Sequence, residues 1–132
     1  MKERQVFFYS DGCKLEGTVY LPDDYKEGEK RPTILANSGY TGLNKIYPAL
    51  FARGLTKLGY VCMGFDYRGF ENSEGKPGYV TLENEVEDIE NAITFASIQP
   101  EVDKDKIGLL GWGMGGPIVC KVTAKDSRVK AV

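Results

Sequence analysis

Histidine is missing altogether from the 132 residues. Its absence excludes a Ser-His-Asp or Cys-His catalytic set built from these residues alone, and any His-ligated metal site. An excess of one charge is missing too. Seventeen basic against nineteen acidic residues leave a net charge of −2, and a nucleic-acid surface needs clustered Lys and Arg. Cysteine is sparse: Cys13, Cys62 and Cys120 stand far apart, with no Cys-x-x-Cys pair. Neither a metal clip nor a redox dithiol is indicated, and three reduced thiols are expected in a cytoplasmic protein. No apolar run approaches the roughly 18 residues that cross a bilayer, and nothing of signal-peptide type follows Met1-Lys2-Glu3-Arg4. No membrane, nucleic acid or cofactor is therefore expected as a partner.

What is present reads as one α/β unit over residues 1–132, without repeats, low-complexity tracts or linkers. Residues 5–9 and 14–21 read as two strands joined by Asp11-Gly12, a strong hairpin signal. In the second, Leu15, Gly17, Val19 and Leu21 alternate with more polar neighbours, which predicts one buried face. The apolar runs 33–36, 60–65 and 106–110 suit strands covered on both faces, as in a parallel sheet. Between them, the spacing of Tyr47, Leu50, Phe51, Leu55 and Leu58 predicts a helix over 45–58, ended by Gly59. Leu82, Val86, Ile89, Ile93 and Ala96 mark one face of a second helix. Its acids Glu83, Glu85, Glu87, Asp88 and Glu90 suit the positive end of the helix dipole and read as a solvated face. Residues 117–124 read as a third helix, and 128–132 begin another strand. The order predicts a mostly parallel sheet after an antiparallel N-terminal hairpin.

The most specific segment is Gly111-Trp112-Gly113-Met114-Gly115-Gly116, placed between a strand and a helix. The strand–Gly-x-x-x-Gly–helix pattern resembles the nucleophile elbow of α/β-hydrolases, Gly-x-Ser-x-Gly. In that turn the flanking glycines let strand and helix pass closely, while the central residue is lifted above the sheet beside a helix N-terminus. Two further segments are similar to the same superfamily. Asn37-Ser38-Gly39-Tyr40-Thr41-Gly42 stands where the superfamily has a His-Gly-x oxyanion loop. The segment 66–75, from Asp66-Tyr67-Arg68-Gly69 to Ser73-Glu74-Gly75, resembles its Asp-x-Arg-Gly-x-Gly-x-Ser-x-Gly stretch. The resemblance is closest to dienelactone-hydrolase and X-prolyl-dipeptidyl-peptidase-like esterases and peptidases. It covers essentially the whole chain.

That resemblance implies an α/β-hydrolase-like domain and acyl transfer to water from small-molecule esters, lactones or amides through a serine-bound intermediate. It also implies an oxyanion hole made by the backbone N–H groups of Tyr40 and Met114. The departures are specific. Gly113 occupies the nucleophile position, Ser38 stands in place of the usual His, and Glu71 in place of a usual Gly. The superfamily's acid and His lie after later strands, so the chain is expected to match the N-terminal half of the domain, truncated after the helix that follows the elbow. Removing a serine nucleophile costs roughly six decades of rate, about 8 kcal/mol, so this chain alone is expected to be inactive. Ser38 has no base in reach and is not a replacement nucleophile.

Other readings follow from the same residues. A non-catalytic pseudoenzyme or interaction fragment is the alternative, with self-association or a second chain completing the fold. Gly111, Gly113 and Gly116 also fit Gly-x-Gly-x-x-Gly, a dinucleotide-binding turn whose acidic residue about 20 positions on lies outside the sequence. Cys62 and Cys120 are expected in the core, as is Trp112. Asp66 and Arg68 are expected to pair with each other.

Overall fold

The hairpin forms as the sequence predicts. In the computed structural model, which describes residues 1–132, β1 (Lys2–Ser10) and β2 (Cys13–Leu21) pair antiparallel from Lys2↔Leu21 to Ser10↔Cys13. Asp11 (φ 47°) and Gly12 (φ 74°) are both left-handed, the two-residue turn whose twist matches that of paired strands. The chain continues through β3 (Arg31–Asn37), α1 (Tyr47–Leu55), a 3-10 turn (Thr56–Leu58) and β4 (Val61–Phe65). It then runs through α2 (Leu82–Ser97), β5 (Val102–Gly111), α3 (Gly115–Lys125) and β6 (Val129–Ala131). The sheet order is β1-β2-β4-β3-β5-β6. β2 meets β4 antiparallel, and β4, β3, β5 and β6 are parallel.

The two faces of the sheet carry different cores. One buries Val86, Ile89 and Ile93 of α2 and Ile118, Val119 and Val122 of α3 against Leu15, Leu35, Met63 and Ile107. Each such side chain contributes about 1.5–3 kcal/mol. On the other face α1 covers a smaller cluster of Tyr20, Ala49, Ala52 and Cys62. β2 is consequently buried on both faces, from Leu15 to Tyr20, and not on one as its alternation predicted. Its place between β1 and β4 gives Tyr20 a roof under α1. The α2 N-terminus is closed by the Thr81 side chain, which accepts from the Asn84 N–H at 3.1 Å and contributes about 1 kcal/mol.

Three further expectations are corrected. The α2 acids are not all solvated: Glu85 and Asp88 are 2% and 0% exposed, because the helix turns them inward beside Val86 and Ile89. Asp66 and Arg68 do not pair. Arg68 instead donates its Nε (2.8 Å) and its backbone N–H (3.0 Å) to Asp88, and its terminal nitrogens to Glu87, Asp11 and Ser10. A fully buried carboxylate claims the nearest guanidinium, while Asp66 is satisfied elsewhere. Cys62 is buried and its thiol is pushed up to about 12 by desolvation, as a core thiol should be. Cys120 is exposed, since it lies about 100° around α3 from Val119.

β6 is short and pairs with β5 only at Ile107↔Val129 and Gly108↔Ala131. Beside it lies an apolar depression of about 470 Å³, lined by Leu55, Leu109, Leu110, Val119, Cys120 and Val132 among others. No helix is long and apolar enough to cross a membrane.

Arg68 is the single cation that holds the buried Asp88. Arg68→Met should therefore lower the unfolding free energy by about 3–5 kcal/mol, the range for removing one partner of a buried pair. Urea unfolding monitored by circular dichroism reads this, and a loss below about 1 kcal/mol would contradict the assignment.

Candidate functional site

Between β5 and α3 the backbone turns through Gly113, whose φ is +56°. Side chains rarely adopt that conformation, and an L-residue held there stores about 1–3 kcal/mol of strain. The turn is pressed against the end of β3. A Cβ on Gly111 would overlap the backbone of Gly115, and a Cβ on Gly115 would overlap the carbonyl of Ser38. A Cβ on Gly39 would stand 3.3 Å from the Trp112 carbonyl oxygen and 3.7 Å from the Met114 nitrogen. Glycine at 111 and 115 is therefore a packing requirement, and at 39 the contact is tight. Position 113 differs, because an added Cβ would meet only the Cα of Gly39, at 3.9 Å. A side chain there has room and faces the loop.

Hydrogen bonds fix both partners. The Trp112 N–H donates to the Asn37 carbonyl at 3.1 Å, and the Gly115 and Gly116 amides donate to Trp112 and Gly113 as α3 begins. In the loop after β3, Gly42 N–H donates to Gly39 (3.0 Å), and Tyr67 N–H donates to the Gly42 carbonyl (3.3 Å). Asn44 donates its backbone N–H to Asp66 Oδ1 at 2.7 Å and its side-chain amide to Thr18 at 2.8 Å. The amides of Tyr40 and Met114 donate to no acceptor in the chain. The structure thus brings the Gly113 turn, the Met114 amide and the Gly39-Tyr40 segment to one end of the sheet. Ser38 lies buried beneath them.

The surroundings are aromatic. Trp112 is 48% exposed, which corrects its expected place in the core: the residue falls after the last paired residue of β5 and stacks on Tyr47 of α1 (4.9 Å, 27°) beside Phe51. Tyr40 meets Phe70 edge-on at 6.3 Å. Sequence spacing gave no signal for these contacts, because the rings come from four separate segments. Asp66, expected only as a partner of Arg68, is 3% exposed. Burial, then the charges of Glu16 and Glu71, push its carboxyl up to about 6 against the Asn44 hydrogen bond. No group of three His, Cys, Asp or Glu side chains is placed to hold a metal ion.

The chain matches the family model of the X-Pro dipeptidyl-peptidase (S15 family) over residues 11–132. It is 35% identical over 120 residues to an uncharacterized 31.7 kDa protein of Escherichia coli, covering 90% of this chain and 42% of that one. It is 32% identical over 128 residues to the quorum-quenching protein AidA of Acinetobacter baumannii, covering 96% and 41%. The crystal structure of the hypothetical protein PA2218 from Pseudomonas aeruginosa superposes with a TM-score of 0.91 at 30% identity, over 99% of this chain and 41% of that one. The dienelactone hydrolase-like phosphotriesterase P91 from metagenomic libraries shares the fold at a TM-score of 0.81 and 17% identity, over 99% and 58%. The chain spans about four tenths of the length of the curated relatives it matches.

Asp66 sets a pH dependence. Its folded value, about 6, lies above the ordinary 3.8. The folded state therefore holds a proton that the unfolded state has lost, and stability falls as pH rises from about 4 to about 6. The full effect is about 3 kcal/mol. Asp66→Asn should make the slope of unfolding free energy against pH shallower across that window, and an unchanged slope would refute the assignment.

Proposed function

The chain belongs to the X-Pro dipeptidyl-peptidase (S15) family of α/β-hydrolase fold, and on that premise we propose that it forms an oxyanion-binding half-site without a nucleophile. The ligand class is a small-molecule ester, lactone or amide, or the carboxylate derived from one. The amides of Tyr40 and Met114 hold the carbonyl or carboxylate oxygen, aided by the positive end of α3. Gly113 occupies the nucleophile position and offers no hydroxyl, so residues 1–132 bind the acyl group and form no acyl-serine. The single observation that carries this reading is the left-handed turn at Gly113, open toward Gly39, between two amides with no acceptor. The family match accounts for the glycine turn without a dinucleotide.

The short β6 and the apolar depression beside it support a second element of the proposal. The relatives are more than twice as long as this chain. The open edge of β5 beyond Gly108 is the seam against which the rest of such a domain packs, within one polypeptide or between two.

Three measurements test these readings. In ¹⁵N spectra titrated with butyrate, the Tyr40 and Met114 amides should shift most. Ester turnover should stay at the rate of water for the chain and for Gly113→Ser, which also loses about 1 kcal/mol of stability to the left-handed backbone. Amides that ignore the carboxylate, or turnover that tracks the purified protein, would overturn the half-site. Residues 1–132 should also sediment as dimers or larger species, and a stable monomer would count against the seam.

A further inference from the structure

Glu85 is a buried carboxyl without a partner. It lies in the first turn of α2, 2% exposed, and neither of its oxygens makes a hydrogen bond. The Tyr67 hydroxyl, on a side chain 1% exposed, has no partner either. Both are unusual, since buried polar atoms are nearly always paired. Arg68, the cation of this region, cannot serve Glu85. Its donors are held by Asp88, Glu87, Asp11 and Ser10. The charge bearing on Glu85 is that of Asp88 on its own helix, and the titratable group beside it from the segment after β4 is the neutral Tyr67 phenol. Arg68 is neutralised by three acids.

Tyr67 ties this pocket to the candidate site. Its N–H donates to the Gly42 carbonyl. Its ring fills the space that a side chain on Gly42 would take, where φ is +56°. Gly42 in turn donates to Gly39, so the Tyr67 ring is the floor on which the Gly39–Gly42 turn rests.

We propose that Glu85 is a positioning residue that holds a proton: as the neutral acid it leaves Tyr67 seated under Gly42, and as the anion it draws the Tyr67 hydroxyl toward itself and shifts the turn that carries the Tyr40 amide. An ionised carboxylate in this pocket faces Asp88 and lacks donors. The Tyr67 hydroxyl is a buried donor without a partner, and because it makes no hydrogen bond to Glu85 as it stands, pairing with it requires the ring to move. The proton lost goes to solvent, and no other bond changes. Burial, then Asp88, push the Glu85 carboxyl up to about 7, so the change falls in a neutral range. The proposal rests on the reading of Gly39–Gly42 as the oxyanion loop. Its test uses no ligand, so failure of the device and failure of the half-site are separate results.

The experiment is a pH titration of the ligand-free chain from about pH 5 to pH 9, which brackets the ordinary and raised carboxyl ranges. The Glu85 carboxyl ¹³C signal and the Tyr40 and Gly42 amide ¹⁵N signals are followed together. The expected result is one shared midpoint near neutrality. Glu85→Gln should abolish the amide titration and leave both amides at their low-pH positions. Asp66→Asn should keep it, which separates Glu85 from the other raised carboxyl near the loop. A Glu85 midpoint in the ordinary carboxylate range would overturn the proposal, as would amides that titrate unchanged in Glu85→Gln. If that variant does not fold, the wild-type midpoints decide alone, and a mismatch between carboxyl and amides is the overturning result.

Discussion

Backbone lies directly on backbone where the Gly111–Gly115 turn meets the end of β3, and the rest of the site depends on that contact. Ser38, Gly39, Gly111 and Gly115 approach so closely that a single added carbon at Gly111 or Gly115 would collide with main chain. A main-chain obstacle cannot rotate away as a side chain can. The contact therefore fixes where α3 begins, and with it the Met114 amide, relative to the loop that supplies the Tyr40 amide. Side-chain identity hardly enters this geometry. That is why it persists while position 113 carries nothing that reacts.

The loop is held from its other side by polar residues that belong to no catalytic list. Asn44 bridges to Thr18 and Asp66, and Tyr67 sits under Gly42. Arg68, the next residue, is locked to Asp88 of α2. One short stretch after β4 thus connects the loop before α1 to the helix on the opposite face of the sheet. Two of the carboxyls involved, Asp66 and Glu85, have raised proton affinity because they are buried and form no ion pair. The loop is preorganised at the cost of groups that are sensitive to proton concentration.

Much of this was legible from residue order, and the exceptions share a cause. Asp11-Gly12, the 82–96 apolar period and the glycine turn at 111–115 are local signals, and each forms where the spacing placed it. Tyr20 and Glu16 misled because a strand's alternation reports burial only when its place in the sheet is known. Asp66 and Arg68, two residues apart, were drawn to different partners, Asn44 and Asp88, at long sequence separation. Glu85 looked solvated beside four other acids, and only the packing of α2 against the sheet shows it inward. Trp112 was misplaced because Tyr47 and Phe51, its aromatic partners, lie more than sixty positions away.

Trp112 is the sole tryptophan of the chain, and it stands next to Gly113 with nearly half its surface open. The indole emission of the molecule, excited beyond the tyrosine band, therefore originates beside the Gly113 turn. A change in the Tyr47 stack alters the colour or yield of that light, so the protein carries its own label beside this turn.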